Sequence, residues 1–154
     1  MNELKANEMW EQYCRLNSEC CDMEYDAWSY GTETADELAA LTLYGIKTAI
    51  SSAFPMYIYD KVDLPKVGEY SVILDTEGNA VCIIRTEEVN IIPYHQVESF
   101  HAFKEGEGDR SLNYWRMEHQ RFFTEELERV GQVFTEDMLV VCEEFQVVYP
   151  LVEI

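Results

Sequence analysis

Apolar positions along this chain recur with helical spacing near both ends and with strand spacing in the centre. Residues 3–20 carry their apolar side chains on one stripe, which predicts an amphipathic helix. A second helix is predicted over 34–44, because Thr34 and Glu37 form the hydroxyl-x-x-carboxylate pattern of a capping box. Gly45 ends this helix, since glycine readily takes the left-handed conformation that follows a helix.

Helical spacing returns in the second half of the chain. Residues 95–104 predict a short helix, and Ser111 is a suitable N-cap for a longer one. The apolar face of that longer helix contains Leu112, Trp115, His119, Phe122 and Phe123. A histidine on such a face is more often a hydrogen-bonded core residue than a ligand-binding one. His119 is therefore predicted to lie in the core.

Strand patterns occupy the middle of the chain and its C-terminal end. The β-rich runs 70–74 and 80–84 flank a turn at 75–79, which predicts a hairpin. Further extended segments are predicted at 47–52, 89–92, 138–142 and 145–149. The proline-bounded segment 54–66 predicts a long loop, of a length that usually has a role as a lid or specificity loop. This order favours an α+β fold with a small mixed sheet or barrel.

Length and charge limit the functions that the chain can have. A chain of 154 residues fits one domain, here divided into a helix and connector at 1–27 and a core at 28–149. The net charge of −19 repels polyphosphates, so a long duplex is not an expected partner. A small ligand, or a short single strand entering a locally basic cleft, remains compatible with it. The flanks, more acidic than the middle, could instead recruit a basic protein.

Cysteine usage and hydropathy argue against several kinds of site. The five cysteines are odd in number and have no C-x-x-C spacing, so we expect free thiols, no zinc site and no cofactor. The N-terminal residues have no signal-peptide pattern, and no apolar run is long enough to span a membrane. A cytoplasmic location away from membranes is therefore expected.

The stretch 45–52 is the best candidate for chemistry. Lys47 follows the predicted helix end, and three hydroxyl side chains, Thr48, Ser51 and Ser52, come next. Taken alone, this pattern fits a lysine that caps the helix carbonyls as well as one that faces a cleft. A lysine in a partly dry cleft can act as a base or an anchor, depending on its neighbouring charges. Trp28 and Tyr30 could wall such a cleft or cover the edge of the core.

Several short motifs together resemble the ASCH domain family. They follow the order of that family from residue 28 to residue 149, although each is weak alone. The motifs are Trp28–Gly31, Asp36–Leu38, Gly45–Thr48, Leu64–Gly68, Glu105–Leu112, Tyr114–Trp115, Glu136–Met138 and Val140–Glu143. The resemblance implies a PUA-like fold, a small β-barrel surrounded by helices, with the Gly-x-Lys motif at the mouth of a cleft. It also implies RNA binding or processing, since some members hydrolyse 4-acetylcytidine and others are reported as ribonucleases.

The resemblance assigns roles to individual residues. Lys47 matches the family lysine, and Glu107 is the preferred match to the catalytic acid, with Glu105 and Asp109 as alternatives. The hydrolytic members have a threonine three positions after the lysine, where this chain has Ile50. Ser51 or Ser52 could replace that hydroxyl, but successive strand residues point to opposite faces, so at most one faces the cleft. The predicted catalytic residues are Lys47, Glu107 and Ser51, and the predicted ligand-binding residues are Trp28, Tyr30, Lys47, Thr48, Ser52, Glu105, Asp109 and Arg110.

Three functions are compatible with this sequence. The first is a module that binds a nucleoside or a short single-stranded RNA, with no cofactor, metal or membrane. The second is a hydrolase, acting either on a modified nucleoside of the 4-acetylcytidine type or on RNA. The third is an acidic protein-interaction domain with a vestigial cleft. A hydroxyl from Ser51 or Ser52 pointing at Lys47 would favour chemistry, whereas both pointing away would favour binding.

Overall fold

A mixed five-stranded sheet, curled into a half-barrel, forms the centre of the computed structural model, which describes residues 3–31 and 33–152. The ends of the predicted 1–154 domain lie outside the described residues. The strands are β1 (Tyr25–Ser29), β2 (Ala49–Ala53), β3 (Tyr70–Leu74), β4 (Ala80–Pro93) and β5 (Leu139–Tyr149), in the spatial order β1-β3-β4-β5-β2. β1 pairs in parallel with β3, and the other neighbours are antiparallel. The predicted α+β fold is confirmed.

Within the described residues, five α-helices surround the sheet. They are α1 (Ala6–Leu16), α2 (Ala35–Leu43), α3 (Phe54–Asp60), α4 (Ser99–Glu105) and α5 (Leu112–Glu128), with 3-10 turns at Ser18–Cys20 and Tyr94–Gln96. α1 buries Met9, Trp10 and Tyr13 against β3 and β4. α5 buries Trp115 and Phe123 in a second apolar cluster with residues of β2 and β5. No helix in the described part of the chain has the length and apolar character needed to cross a membrane.

The hairpin predicted at 70–84 is confirmed, but the strands after it are longer than predicted. β3 and β4 pair antiparallel, with Tyr70 opposite Arg85. The two strands predicted at 80–84 and 89–92 are one strand, β4, because a register shift between Thr86 and Glu88 accommodates the polar residues there. The segments 138–142 and 145–149 are likewise joined in β5. A polar interruption in the sequence therefore marks an irregularity in a strand, not its end.

Three local predictions were wrong. The first half of the 54–66 loop is the helix α3, which has Pro55 in its first turn and ends at Lys61, whose φ is 56°. The side chain of Thr34 caps no backbone N–H of α2, because its backbone (φ −105°, ψ 6°) is not extended as an N-cap requires. Part of the connector predicted before residue 28 is not irregular, since β1 begins at Tyr25. Ser111, in contrast, caps α5 as predicted, accepting a hydrogen bond from the Tyr114 N–H at 3.0 Å.

Candidate functional site

The turn after α2 carries Lys47 into the interior. Gly45 takes a φ of 76°, and the N–H groups of Ile46 and Lys47 both donate to the carbonyl of Leu41. The Lys47 side chain then runs away from α2 and is only 1% exposed. Its Nζ contacts no carbonyl of α2, so among the described residues it is not the helix cap that the sequence alone allowed.

Three oxygen atoms surround the Lys47 ammonium. Nζ donates to the Ala49 carbonyl at 2.9 Å, the Glu105 carbonyl at 3.3 Å and Oε2 of Glu107 at 2.8 Å. These three acceptors match the three protons of an ammonium group. Oε1 of Glu105 lies 3.6 Å from the same nitrogen. Lys47 therefore faces both glutamates of the loop.

A glycine allows the loop 105–110 to approach Lys47. We call this segment the carboxylate loop. α4 ends at Gly106, whose φ is 72°. A Cβ at this position would lie 2.6 Å from the carbonyl oxygen of Ile46, a contact that no larger residue could make. The close approach places Glu105, at the end of α4, and Glu107, just after the glycine, on either side of the lysine.

Glu105 is the most contacted carboxylate of the site. It is 2% exposed, and Oε2 accepts hydrogen bonds from Ser51 Oγ at 2.6 Å and from the Trp115 indole N–H. Burial alone would raise the pKa of Glu105, but the charge of His119, hydrogen bonds from two histidines and the charge of Lys47 outweigh it and hold the pKa well below its usual range. Glu105 is therefore a buried anion and a poor base.

Two histidines, His101 and His119, lie within 3.4 Å of the Glu105 carboxylate. His101 Nε2 lies 2.7 Å from Ser51 Oγ and 3.2 Å from Glu105 Oε2. His119 stacks on Trp115 with ring centroids 4.4 Å apart; its Nδ1 lies 3.0 Å from the Trp115 carbonyl and its Nε2 3.4 Å from Glu105 Oε1. A carbonyl and a carboxylate only accept hydrogen bonds, so these neighbours favour the form of His119 in which both ring nitrogens carry protons.

The pKa of His119 agrees with this assignment. Burial would lower its pKa, but the charge and hydrogen bond of Glu105 raise it above the usual value. We call Lys47, Ser51, His101, Glu105, Glu107, Trp115 and His119 the Lys47 cluster. When His119 is protonated, the two cations of the cluster, Lys47 and His119, balance its two anions, Glu105 and Glu107.

A cavity of about 240 Å³, here named the Lys47 cavity, opens beside this cluster. It is lined by Tyr30, Leu38, Lys47, Ile50, Ser51, Glu105, Glu107, Glu118, His119, Arg121, Phe122 and Glu125. This volume lies below the roughly 300–1,000 Å³ of sites for drug-sized ligands, so the cavity suits one small group. The Tyr30 ring lies 5.5 Å from Lys47 Nζ and forms one aromatic wall.

A second cavity of about 490 Å³, here named the sheet cavity, lies on the other side of Ile50, which lines both. Trp28, Ser52, Tyr57, Thr86 and Glu143 are among its lining residues. Ser52 Oγ lies 2.7 Å from the Tyr57 hydroxyl. Burial raises the pKa of Glu143, although a 2.6 Å hydrogen bond from Thr86 opposes the shift. Trp28 and Tyr30 meet edge to face at 5.1 Å where the two cavities adjoin.

The structure brings together five of the predicted site residues: Tyr30, Lys47, Ser51, Glu105 and Glu107 all line the Lys47 cavity. The two serines lie on opposite faces of β2, as strand geometry requires, with Ser51 in the Lys47 cavity and Ser52 in the sheet cavity. Trp28 is also in the sheet cavity.

The other predicted ligand-binding residues have local partners outside both cavities. Thr48 Oγ1 donates to the Lys104 carbonyl at 3.4 Å, and Asp109 accepts from the Ser111 N–H at 2.9 Å. Arg110 stacks on Phe103 with its guanidinium carbon 3.6 Å from the ring centre. Among the alternatives for the catalytic acid, Asp109 therefore does not face Lys47, whereas both glutamates do.

Sequence reasoning missed His101 of α4, which contacts Ser51 and Glu105, and the contribution of α5 to the cavity. His101 was not singled out, although its i,i+4 spacing to Glu105 is a recognisable signal for two side chains on one helical face. His119 is largely buried and hydrogen-bonded, as predicted, but it also lines the cavity. The same face of α5 as His119 also brings Glu118, Phe122 and Glu125 to the cavity. Only the tertiary structure shows that these residues lie there. No group of three metal-ligating side chains occurs within residues 3–31 and 33–152.

Comparisons with known proteins agree with the motifs. A family model described as the ASCH domain matches residues 26–149. The crystal structure of an ASCH domain from Lactobacillus crispatus is 34% identical, with a TM-score of 0.86 and coverage of 90% of this chain and 91% of that one. A protein of Enterococcus faecalis is 38% identical, with a TM-score of 0.81 and coverage of 91% and 85%. A comparison with curated proteins gave no match.

Proposed function

The chain belongs to the ASCH domain family, and from this premise we propose that it binds a nucleoside or single-stranded RNA by admitting one base to the Lys47 cavity. The observation that carries the proposal is the Lys47–Glu107 pair, a cation and an anion 2.8 Å apart at the wall of a cavity suited to one small group. Tyr30 adds an aromatic wall on which a base can stack.

Lys47 and Glu107 provide a donor and an acceptor side by side, as the hydrogen-bonding edge of a base requires. The Glu107 side chain is 31% exposed, so its carboxylate can accept a hydrogen bond from an exocyclic amine. Lys47 can donate to a neighbouring ring nitrogen or carbonyl. The longest of its three hydrogen bonds, to the Glu105 carbonyl at 3.3 Å, is the easiest to exchange for such a ligand atom. Cytosine, which presents an amine beside an acceptor, has the required pattern.

Charges at the mouth of the cavity favour a base over a phosphate. Glu118 and Glu125 flank the entrance, and the one arginine there, Arg121, is 2.7 Å from Glu118. Inside, Lys47 is already neutralised by Glu107. A dianionic phosphate would meet a net negative field, whereas a neutral base would not. The phosphates of a bound strand therefore stay outside this cavity.

Binding of cytidine, measured by calorimetry, tests the proposal. The wild-type protein should bind cytidine, and Lys47→Ala should abolish the binding because it removes the donor, leaves Glu107 without its ion pair and leaves Glu105 with one fewer compensating charge. Lys104→Ala is the matched control, since Lys104 makes a partly exposed ion pair with Glu144 outside the cavity. The proposal fails if wild-type protein binds neither cytidine nor RNA, or if Lys47→Ala binds as well as wild type.

A hydrolase is the second candidate, favoured by the position of Ser51. Its hydroxyl lies in the Lys47 cavity and contacts His101 and Glu105, which also contacts Lys47. However, its proton is directed at Glu105, whose lowered pKa makes it a weak acceptor. Glu107, which is more exposed, is the better placed base. Incubation with 4-acetylcytidine and with single-stranded RNA, alongside Glu107→Gln, tests this candidate, and efficient turnover that Glu107→Gln removes would rank it first.

A further inference from the structure

The carboxylate loop has a second surface, outside the Lys47 cavity, on the side where Arg110 lies. The Arg110 guanidinium carbon is 3.6 Å from the centre of the Phe103 ring, the distance of direct stacking. Its Nε donates to the Phe103 carbonyl at 3.1 Å, and one of its terminal nitrogens is 3.5 Å from the Ile46 carbonyl. These backbone contacts hold the guanidinium plane against the ring without using a carboxylate.

The backbone at Arg110 takes an unfavourable conformation to make this stack. Its φ is 65°, a left-handed value that residues with a side chain rarely adopt. The turn is held by a 3.0 Å hydrogen bond from the Arg110 N–H to the Glu107 carbonyl and by the contact of Asp109 with Ser111. The same turn thus fixes Glu107 towards the cavity and Arg110 on the outer surface.

A second cation–aromatic pair adjoins the first on α4. Phe100 and Phe103 are each 54% exposed, and Lys104 Nζ lies 5.2 Å from the centre of the Phe100 ring. Lys104 also pairs with Glu144 at 2.7 Å, whereas Arg110 has no carboxylate partner among residues 3–31 and 33–152. We call Phe100, Phe103, Lys104 and Arg110 the α4 platform. It is an exposed aromatic and cationic surface on a protein of net charge −19.

We propose that the α4 platform binds a nucleotide of single-stranded RNA that adjoins the base held in the Lys47 cavity. This inference rests on the proposed function and extends it to a second site. Unpaired bases stack on aromatic rings and on guanidinium planes, and the Arg110 cation, which has no carboxylate partner among the described residues, attracts the phosphate. The positive charge complements a phosphate that the acidic mouth of the Lys47 cavity would repel.

The two sites are close enough to share one strand. The hydrogen bond from Arg110 to the Glu107 carbonyl closes a turn, so the Cα atoms of these residues are within about 7 Å. The Ile46 carbonyl faces both Gly106 of the loop and the Arg110 guanidinium. One short loop therefore separates the base cavity from the platform. Stacking requires free base faces, so duplex RNA should not bind there.

The test compares a labelled short single-stranded RNA, measured by fluorescence anisotropy, with cytidine, measured by calorimetry. Arg110→Gln should weaken RNA binding about tenfold and leave cytidine binding unchanged, because it removes the stacked cation and leaves the cavity intact. It should also reduce the magnitude of the salt dependence by about 0.7 in the slope, the value for one phosphate contact on a single strand. Arg85→Gln, a matched charge removal on β4 opposite Tyr70, should change neither affinity.

Phe100→Leu provides a variant that leaves the turn untouched. It keeps an apolar side chain on α4 but removes a ring, so RNA affinity should fall severalfold while cytidine affinity stays the same. Unchanged RNA affinity in both variants would overturn the inference. An equal loss of cytidine and RNA binding in Arg110→Gln would also overturn it, by showing that Arg110 only supports Glu107. Wild-type protein that binds cytidine but not RNA would refute the platform alone and leave the proposed function standing.

Discussion

The Lys47 ammonium and the Glu107 carboxylate meet at 2.8 Å although sixty residues separate them in the chain. One follows the end of α2 and the other follows the end of α4, so two helix ends converge on one cavity. Each of these ends has a glycine with positive φ, Gly45 and Gly106. The Lys47–Glu107 pair forms because α2 and α4 both end at a glycine next to the cavity. Substitution of one of these glycines tests whether the pair depends on the helix ends.

Gly106→Ala should disrupt the site far more than an equivalent change elsewhere. The new Cβ would lie 2.6 Å from the Ile46 carbonyl oxygen, so the loop must move and carry Glu107 away from Lys47. We expect a loss of about 1–3 kcal/mol in the free energy of unfolding and a marked loss of cytidine affinity. Gly131→Ala is the control, since its φ is 74° but nothing lies within 4 Å of its Cβ. Urea denaturation and calorimetry measure both effects, and equal losses of affinity in the two variants would contradict this account.

Removing the buried lysine should cost much more stability than removing an exposed one. Lys47→Met leaves the buried carboxylate of Glu105 with one fewer compensating charge, a situation that typically costs about 3–5 kcal/mol. Lys104→Met breaks only the partly exposed pair with Glu144, for which about 0–1 kcal/mol is expected. The urea midpoints of the two variants, each compared with that of the wild-type protein, measure these losses of stability. Similar midpoints would show that Lys47 contributes little to holding the two helix ends together.

The stability of the cluster should depend on pH through His119. Because Glu105 raises the pKa of His119, the folded protein holds the proton of His119 more tightly than the unfolded protein does, and protonation of His119 stabilises the fold. Its contribution is complete below the unfolded value of about 6.5 and disappears as the pH rises through the higher folded value. His119→Gln should therefore lose less stability than wild type as the pH rises from about 6.5 through the folded pKa of His119. Urea titrations of both proteins at a series of pH values give this difference, and parallel pH profiles would exclude a charged His119.

Ionised Glu105 should also stabilise the fold, but its contribution should be lost as the pH falls, whereas that of His119 is lost as the pH rises. Its lowered pKa means that its contribution is present above the unfolded value of about 4.3 and disappears as the pH falls through the folded value. Glu105→Gln should flatten the acid limb of the stability profile. An acid limb as steep as that of wild type would show that other carboxylates determine acid unfolding.

Sequence reasoning was sufficient where one residue type has one local consequence. Gly45 ended a helix and the 75–79 turn joined a hairpin. The match of Lys47 with Glu107 came from the family resemblance, because no local pattern joins residues sixty positions apart. It was insufficient where side chains far apart in the sequence share one partner. Nothing local shows that Ser51, His101, Trp115 and His119 all contact Glu105. Arg110 was assigned to the cleft because it belongs to the Glu105–Leu112 motif of the family resemblance, yet its left-handed backbone turns it onto Phe103.

Ile50 provides the sharpest test between binding and turnover. It lines both the Lys47 cavity, together with Lys47 and Glu107, and the sheet cavity. The family resemblance assigns a threonine to this position in the hydrolytic members. Ile50→Thr would place a hydroxyl there, and a positioned proton-transfer group typically contributes about 100- to 10,000-fold in rate. We expect weak or absent deacetylation of 4-acetylcytidine by the wild-type protein and a measurable increase in Ile50→Thr. Ile50→Val is the matched control, because valine has the shape of threonine without the hydroxyl. An equal increase in both variants would mean that cavity size, not the missing hydroxyl, limits the reaction, and efficient deacetylation by the wild-type protein would make Ser51 the next hydroxyl to remove.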